Sequence, residues 1–219
     1  QGARKRQPDE ITFYLALASL ARRERDWDRA EKQLEEARQE FGDRAALRLA
    51  RAQQLVRQFG KECAERLRKL AEGTDQLPED ERTGLWRGLA ASSMQVGDYD
   101  QTRRLCQRLS EREPHNLQVR LVLFDLALRA EDASGLGKVL DEIHEIEDDG
   151  PYWHYGTALQ LSLQAKEDKK LLDSAQEHLA RCRTLRPGWS RVPFLAAEVC
   201  LRQGNEELAI DNYLRAVDL

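Results

Sequence analysis

The sequence predicts an all-α solenoid of about six helix–turn–helix repeats, and the spacing of small and apolar residues is the first observation behind this prediction. Three pairs of positions are 34 residues apart: Ala30 and Ala64, Thr102 and Leu136, and Ala175 and Ala209. Between successive pairs the spacing is longer, 38 residues (64 to 102) and 39 residues (136 to 175), which indicates a longer loop in two places. The second observation is that apolar residues around these positions follow the period of an α-helix.

The composition fits a folded helical protein and argues against several other classes. Apolar residues are 41% of the 219 residues, too many for a disordered chain, and aromatic residues are only 6%, which favours thin helix–helix interfaces. The apolar runs are too short to span a bilayer, so we expect no membrane insertion. The net charge is −4 with both signs interspersed, so we expect no nucleic-acid partner.

The helical pattern is clearest in the third repeat. Gly97 permits a tight turn between its two helices, and Asp98 can accept the free N–H groups that open the second helix. Pro114 stops that helix because it has no N–H to donate. The residues on the two apolar faces are Trp86, Leu89, Ala90 and Ser93 in the first helix, and Tyr99, Thr102, Cys106 and Leu109 in the second.

The same positions return, with substitutions, in the other repeats. The second repeat is the poorest, and the fifth has a longer turn around residues 166–170. The matching residues are Tyr14, Leu17, Ala18, Ala21, Trp27, Ala30, Leu34 and Ala37 in repeat one; Ala52, Leu55 and Ala64 in repeat two; Leu123, Phe124, Ala127, Leu136, Leu140 and Ile143 in repeat four; Ala158, Leu161, Ala175, Leu179, Cys182 and Pro187 in repeat five; and Ala196, Ala197, Cys200, Gly204, Ala209, Tyr213 and Ala216 in repeat six.

This pattern resembles the tetratricopeptide repeat, which reads W-x2-L-G-x2-Y, then G-x-Y-x2-A-x3-F-x2-A, then P. The resemblance covers about residues 9–219 and implies a right-handed α-α superhelix. Residues 1–8 are expected to be a flexible N-terminal segment. The repeat boundaries are expected at about 11–44, 45–78, 79–115, 116–149, 150–188 and 189–219.

Two arginines in the second repeat, Arg48 and Arg68, occupy positions that are normally apolar. Burying an unpaired guanidinium is costly. We therefore expect both side chains to lie along apolar surface with their charged heads in solvent.

No catalytic or metal-binding motif is present, so we expect no enzyme activity, no cofactor and no metal. The four histidines are expected not to converge. His144 lies in the acidic segment 141–149, where carboxylates plus imidazole could hold a metal, but a solvated helix face explains the same residues and is favoured. The four cysteines show no pairing and are expected to be buried free thiols, which weakly favours a cytoplasmic location.

The resemblance implies a concave groove lined by the first helix of each repeat. Arginines near the ends of four first helices could pair with carboxylates of an acidic partner, although cations at a helix C-terminus also suit the helix dipole, and this second explanation is favoured. Tyr155, Leu159 and Phe194 would be apolar anchors toward the C-terminal half. The implied groove residues are Leu15, Ser19, Arg22, Arg23, Gln53, Arg57, Arg87, Met94, Asp125, Arg129, Tyr155, Leu159, Phe194, Glu198 and Arg202.

One subtype of the family does not fit. Members that clamp the C-terminal tails of heat-shock chaperones carry Lys, Asn and Arg at five groove positions. Here those positions hold Leu15, Ser19, Ala50, Gly84 and Gly88. A heat-shock co-chaperone role is therefore not expected.

Two functions remain as hypotheses. The first is a non-enzymatic scaffold that binds a peptide or partner segment in its groove. The second is a docking or sensory arm excised from a larger enzyme or regulator. In either case Ile210, Leu214 and Val217 form an apolar stripe on the last helix, which predicts contact with a further repeat or self-association.

Overall fold

The computed structural model describes residues 8–165 and 168–219, with side chains described from Ile11 onward. These residues are α-helical apart from short turns and contain no strand. Residues 1–7 of the expected flexible segment lie outside the description, as do residues 166 and 167 of the expected longer turn. The helices pack in consecutive pairs, which confirms the predicted all-α solenoid class.

The chain divides into two compact units, Gln1–Pro114 and His115–Leu219. Each unit contains three helical pairs, and we call the odd-numbered helices first helices and the even-numbered ones second helices. Unit 1 contains α1 (Pro8–Arg23), α2 (Trp27–Phe41), α3 (Ala45–Phe59), α4 (Ala64–Leu70), α5 (Glu79–Val96) and α6 (Tyr99–Arg112). Unit 2 contains α7 (Leu117–Arg129), α8 (Ala133–Glu147), α9 (Pro151–Ala165), α10 (Lys169–Leu185), α11 (Arg191–Arg202) and α12 (Glu206–Val217).

Four of the turns inside the pairs share one construction. A residue with positive φ reverses the chain, and the Asp or Asn after it accepts a hydrogen bond from a backbone N–H in the first turn of the second helix. The predicted turn at Gly97 and Asp98 is one of them. The four residue pairs are Arg25 and Asp26, Gly97 and Asp98, Glu131 and Asp132, and Gly204 and Asn205.

The pair in the second repeat is built differently. Gly60, with φ +53°, is followed by the 3-10 turn Gly60–Cys63, and α4 begins without a side-chain cap. α4 has only 7 residues, half the length of most other helices here. The weak sequence pattern of this repeat therefore corresponds to a weak helical pair.

The spaced positions that predicted the fold lie at the helix–helix contacts. Ala64 is half-buried, and the other five are at most 4% exposed. Small side chains here let neighbouring helices approach closely. Glycine does the same between α3 and α5, where a Cβ on Gly88 would lie 2.3 Å from Cδ2 of Leu49.

The expectation that Arg48 and Arg68 hold their heads in solvent fits Arg68, whose side chain is 44% exposed, but not Arg48, whose side chain is 15% exposed. Arg48 is ion-paired to Asp43 and donates from Nη1 to the carbonyl of Leu70 at 2.9 Å, close to the end of α4. Arg68 donates from Nε and Nη2 to the two carboxylate oxygens of Asp98 at 2.8 and 2.9 Å. Polar partners from neighbouring turns therefore satisfy both guanidinium groups.

The Arg68–Asp98 pair connects α4 to the capping residue of α6. Asp98 also accepts a hydrogen bond from the Gln101 N–H, and only 3% of its side chain is exposed. The hydrogen bonds from Arg68 hold the pKa of Asp98 below its usual value. Asp98 therefore stays ionised where an unpaired, buried carboxyl would tend to be neutral.

We expect Arg68→Ala to lower the free energy of unfolding moderately, because it leaves the buried Asp98 carboxylate without its main partner while the guanidinium itself is half-exposed. Urea unfolding at neutral pH measures this loss. The neighbouring substitution Lys69→Ala is the control and should change stability little. Because the pKa of Asp98 is lowered on folding, the difference between Arg68→Ala and the natural chain should shrink as pH falls below about 4.

Candidate functional site

In unit 1 the first helices lie side by side, since α3 contacts both α1 and α5. Each of these helices has one exposed stripe at helical spacing. The exposed residues are Phe13, Ala16, Leu20 and Arg23 on α1, Ala46, Gln53 and Arg57 on α3, and Gly84, Arg87, Ala91 and Gln95 on α5. We call these residues the first-helix surface of unit 1.

Acidic residues are absent from this surface. Residues 11–23 of α1, the whole of α3 and residues 82–96 of α5 contain no Asp or Glu. The second helix α2, by contrast, carries Asp28, Glu31, Glu35, Glu36 and Glu40. Although the whole chain is acidic, the first-helix surface of unit 1 carries three arginines and no acidic residue; the acids of α5 lie in its first turn, at Glu79, Asp80 and Glu81.

Seven of the eight predicted groove residues of unit 1 are exposed or half-buried. Arg23, Gln53, Arg57 and Arg87 are exposed, whereas Leu15, Ser19 and Met94 are half-buried. Among the described residues Arg23 and Arg57 make no ion pair, and Arg87 pairs with Glu113 at 2.6 Å. Leu15 packs against the core of α1, α2 and α3, so the exposed stripe of α1 runs through Phe13 and Leu20 instead.

Arg22 is the main departure from the expected groove. It is 8% exposed, and its Nη1 donates to the Ala50 carbonyl of α3 at 2.7 Å. Its Nε is buried and has no hydrogen-bond partner. Arg22 faces α3 because it lies on the same side of α1 as Ala18, which is fully buried.

In unit 2 the predicted anchors differ in exposure. Phe194 is 51% exposed, and its ring centroid lies 5.5 Å from that of Tyr213. Tyr155 is half-buried, with its ring 4.8 Å from that of Trp189, and Leu159 is half-buried against the cores of α7–α8 and α9–α11. Phe194 is therefore the most accessible of the three.

The predicted polar groove residues of unit 2 are mostly engaged. Arg202, on α11, donates from Nη1 to the Ser162 carbonyl of α9. Asp125 and Glu198 are half-buried, and Arg129 is exposed at the end of α7. This part of the chain therefore offers fewer available charges than the first-helix surface of unit 1.

Three histidines of unit 2 gather around Trp153, which the sequence did not predict. Nδ1 of His154 lies 2.9 Å from Nδ1 of His178, and the ring centroids of His144 and Trp153 are 4.6 Å apart. Burial and then the neighbouring His178 lower the pKa of His154, which is 2% exposed. No group of three or more possible metal-ligating residues occurs among the described residues.

The cysteines show no activation for chemistry. All four are buried and free. Burial raises the pKa of Cys106 and of Cys182 to about 11, so both thiols stay protonated near neutral pH. Within the described part of the chain no helix is long and apolar enough to cross a bilayer.

The sequence matches no protein-family model and no curated protein. Its fold matches solved structures of repeat proteins. A tetratricopeptide repeat protein from Parabacteroides merdae ATCC 43184 is 12% identical with a TM-score of 0.69, over 96% of this chain and 80% of that one. MamA from Desulfovibrio magneticus RS-1, from residue 41 to its end, is 15% identical with a TM-score of 0.55, over 81% and 96% of the two chains. Another MamA structure is 10% identical with a TM-score of 0.53, over 76% and 92%.

These comparisons define the fold. The chain is an all-α repeat protein similar in fold to tetratricopeptide repeat proteins, as the sequence pattern predicted. At such low identity the likeness extends to the architecture, which is that of a repeat scaffold. What its surfaces can bind depends on its own exposed residues.

The histidine pair generates a prediction about pH. One ring must donate and the other accept, so the contact requires a neutral imidazole. Because the folded-state pKa values of His154 and His178 are both lowered, the unfolded chain binds protons first as pH falls below about 6.5. We expect the free energy of unfolding to decrease between about pH 7 and pH 5. His154→Gln should flatten this dependence in urea unfolding, and His115→Gln, at an exposed site, should not.

Proposed function

We propose that this protein is a non-enzymatic interaction scaffold whose first-helix surface in unit 1 binds an extended, acidic peptide segment. The segregation of charge is the observation that carries the proposal. Beyond the acidic first turn of α5, the exposed stripes of α1, α3 and α5 hold arginines and no acidic residue, in a chain whose net charge is −4. A peptide carboxylate near Arg23 and Arg57 is attracted by guanidinium groups that have no ion-pair partner among the described residues, whereas Arg87 is already paired with Glu113.

Arg23 and Arg57 are the side chains best suited to this contact. Both are exposed and have no ion-pair partner among the described residues, so they lose no existing interaction when a carboxylate binds. A guanidinium group can donate two parallel hydrogen bonds to a carboxylate. Ala46 on α3 and Ala91 on α5 are small exposed residues of the same surface, which leaves room there for a peptide backbone to approach.

Apolar anchoring is proposed for unit 2. Phe194 exposes half of its side chain on α11 and lies against Tyr213, which holds the ring in place. Tyr155 and Leu159 extend the apolar character on the neighbouring α9. Exposed aromatic side chains that are held by a neighbour lose little conformational freedom on binding and are common anchors.

The charge preference can be measured directly. We expect a fluorescein-labelled peptide of alternating Glu and Ala to bind in an anisotropy titration, and the matched Gln–Ala peptide to bind more weakly. The double variant Arg23→Gln, Arg57→Gln should weaken binding of the Glu peptide by about fivefold to tenfold, with a reduced dependence on salt.

The control removes the same charge elsewhere. Lys69→Gln with Arg104→Gln takes two exposed cations from the second helices α4 and α6. If the control pair weakens binding as much as the first-helix pair, the general charge of the protein and not this surface is responsible. Equal affinity for the Glu and Gln peptides would rule out the acidic partner.

The exposed stripe of α12 is proposed as a self-association surface. Ile210, Leu214 and Val217 are 59%, 60% and 84% exposed. Asp211 and Arg215 lie one turn apart beside them and form no ion pair with each other. A two-fold antiparallel pairing of two α12 helices covers the stripe and brings Asp211 of each copy toward Arg215 of the other.

Sedimentation over a range of protein concentrations tests this surface. We expect a concentration-dependent dimer that Ile210→Glu with Leu214→Glu abolishes without loss of helicity. Leu185→Glu, at a 53% exposed site on α10, is the control and should leave the dimer intact. A natural chain that stays monomeric at high concentration contradicts the proposal.

A further inference from the structure

Arg22 is an exception among the buried charges of this protein. The described residues include three buried charged side chains: Arg22, Asp98 and Arg120. Asp98 is paired with Arg68, and Arg120 lies 2.8 Å from a carboxylate oxygen of Glu142. Among the residues whose side chains are described, Arg22 has no carboxylate partner and is held by one carbonyl, that of Ala50. Buried charges are normally compensated by an opposite charge, so this one requires an explanation.

The charge next to Arg22 has the same sign. Arg57 follows Ala50 on α3 by seven residues, which is two helical turns, so both residues lie on one side of that helix. Burial, and then the Arg57 guanidinium, lower the pKa of Arg22. α3 contains no acidic residue, and α1 contains none after Glu10. The two guanidinium groups therefore have no balancing anion from α3 or from α1 after Glu10.

The donors of Arg22 are only partly used. Nη1 donates to the Ala50 carbonyl, Nε is buried without an acceptor, and Nη2 has no acceptor among the described residues. Arg57 is exposed, and its donors are free of ion pairs within the same part of the chain. An oxyanion placed between the two groups would accept hydrogen bonds from both and remove their mutual repulsion.

We infer that Arg22 and Arg57 together form a binding subsite for one carboxylate of the acidic peptide. The inference rests on the proposed function and names where one of the peptide's acidic side chains is held. Arg57, exposed, captures the carboxylate. Arg22, fixed by the Ala50 carbonyl, supplies a preorganised donor that does not have to be ordered on binding. The five positions that hold Leu15, Ser19, Ala50, Gly84 and Gly88 do not contribute a charge to this subsite.

A purely structural role for Arg22 and a subsite predict the same effect of Arg57→Gln on stability but different effects on anion binding. If the two groups only repel each other, removing Arg57 stabilises the fold and changes nothing else. If they form a subsite, Arg57→Gln stabilises the unliganded protein and also weakens anion binding. Because Arg57 is exposed, Arg57→Gln is expected to leave the fold intact. Arg22→Gln would also remove the hydrogen bond to the Ala50 carbonyl.

The first measurement is thermal unfolding with simple anions. We expect Arg57→Gln to raise the melting temperature of the unliganded protein by about 1–3 °C. Glutarate should stabilise the natural chain and have a smaller effect on Arg57→Gln, at constant ionic strength. Arg104→Gln, which removes an exposed arginine near Asp98, should not raise the melting temperature.

The second measurement follows Arg22 itself by NMR. The Nε–Hε resonance of Arg22 should shift on addition of glutarate or of the alternating Glu–Ala peptide, and should not shift in Arg57→Gln. The affinity for the Glu–Ala peptide should fall about threefold to fivefold in Arg57→Gln and remain unchanged in Arg104→Gln. Inorganic phosphate is the comparison anion, and a response to phosphate without one to glutarate would overturn the assignment to a carboxylate.

The outcomes separate this inference from the proposed function. If the Glu–Ala peptide binds equally well to the natural chain and to Arg57→Gln, the subsite is wrong and the acidic-peptide scaffold stands. If the peptide does not bind but glutarate shifts the Arg22 resonance in an Arg57-dependent way, the subsite stands and the scaffold proposal fails. An Arg22 resonance that responds to neither ligand overturns the subsite.

Discussion

The fold depends on reversing the chain within a few residues and starting a new helix immediately. Four of the described turns do this with two adjacent residues: one in the left-handed region, and an Asp or Asn whose side chain accepts a hydrogen bond from one of the first free N–H groups. Without the reversal the two helices of a pair would not face each other, and without the cap the second helix would begin with unsatisfied donors. Both residues are needed at the same place, so the turn determines which faces of the helices are buried.

The helical pairs could be predicted because their packing depends on residue size and period. Ala30, Ala175 and Ala209 are fully buried, as their spacing required. The turn at Gly97 and Asp98 could also be predicted, since glycine and aspartate both have strong turn preferences. The turns at Arg25 and Glu131 could not, because neither residue favours positive φ and the surrounding structure imposes it.

The candidate site was less predictable because charged side chains find partners in other repeats. Arg22 contacts a backbone carbonyl of α3, Arg48 contacts two carbonyls near the end of α4, and Arg68 contacts the capping carboxylate of α6. On the exposed stripe of α1, Phe13, two positions earlier, takes the place predicted for Leu15. The contact between His154 and His178 depends on the relative rotation of α9 and α10, which spacing along the chain does not specify.

The Arg68–Asp98 contact has a consequence for how unit 1 unfolds. Repeat proteins can lose one repeat at a time when neighbouring repeats are only weakly coupled. Here the carboxylate that starts α6 in the third repeat is also the partner of α4 in the second. Fraying of the short, uncapped α4 therefore weakens the start of a helix in the next repeat. The least regular repeat is in this way tied energetically to its best-formed neighbour, and the two behave as one cooperative segment of the solenoid.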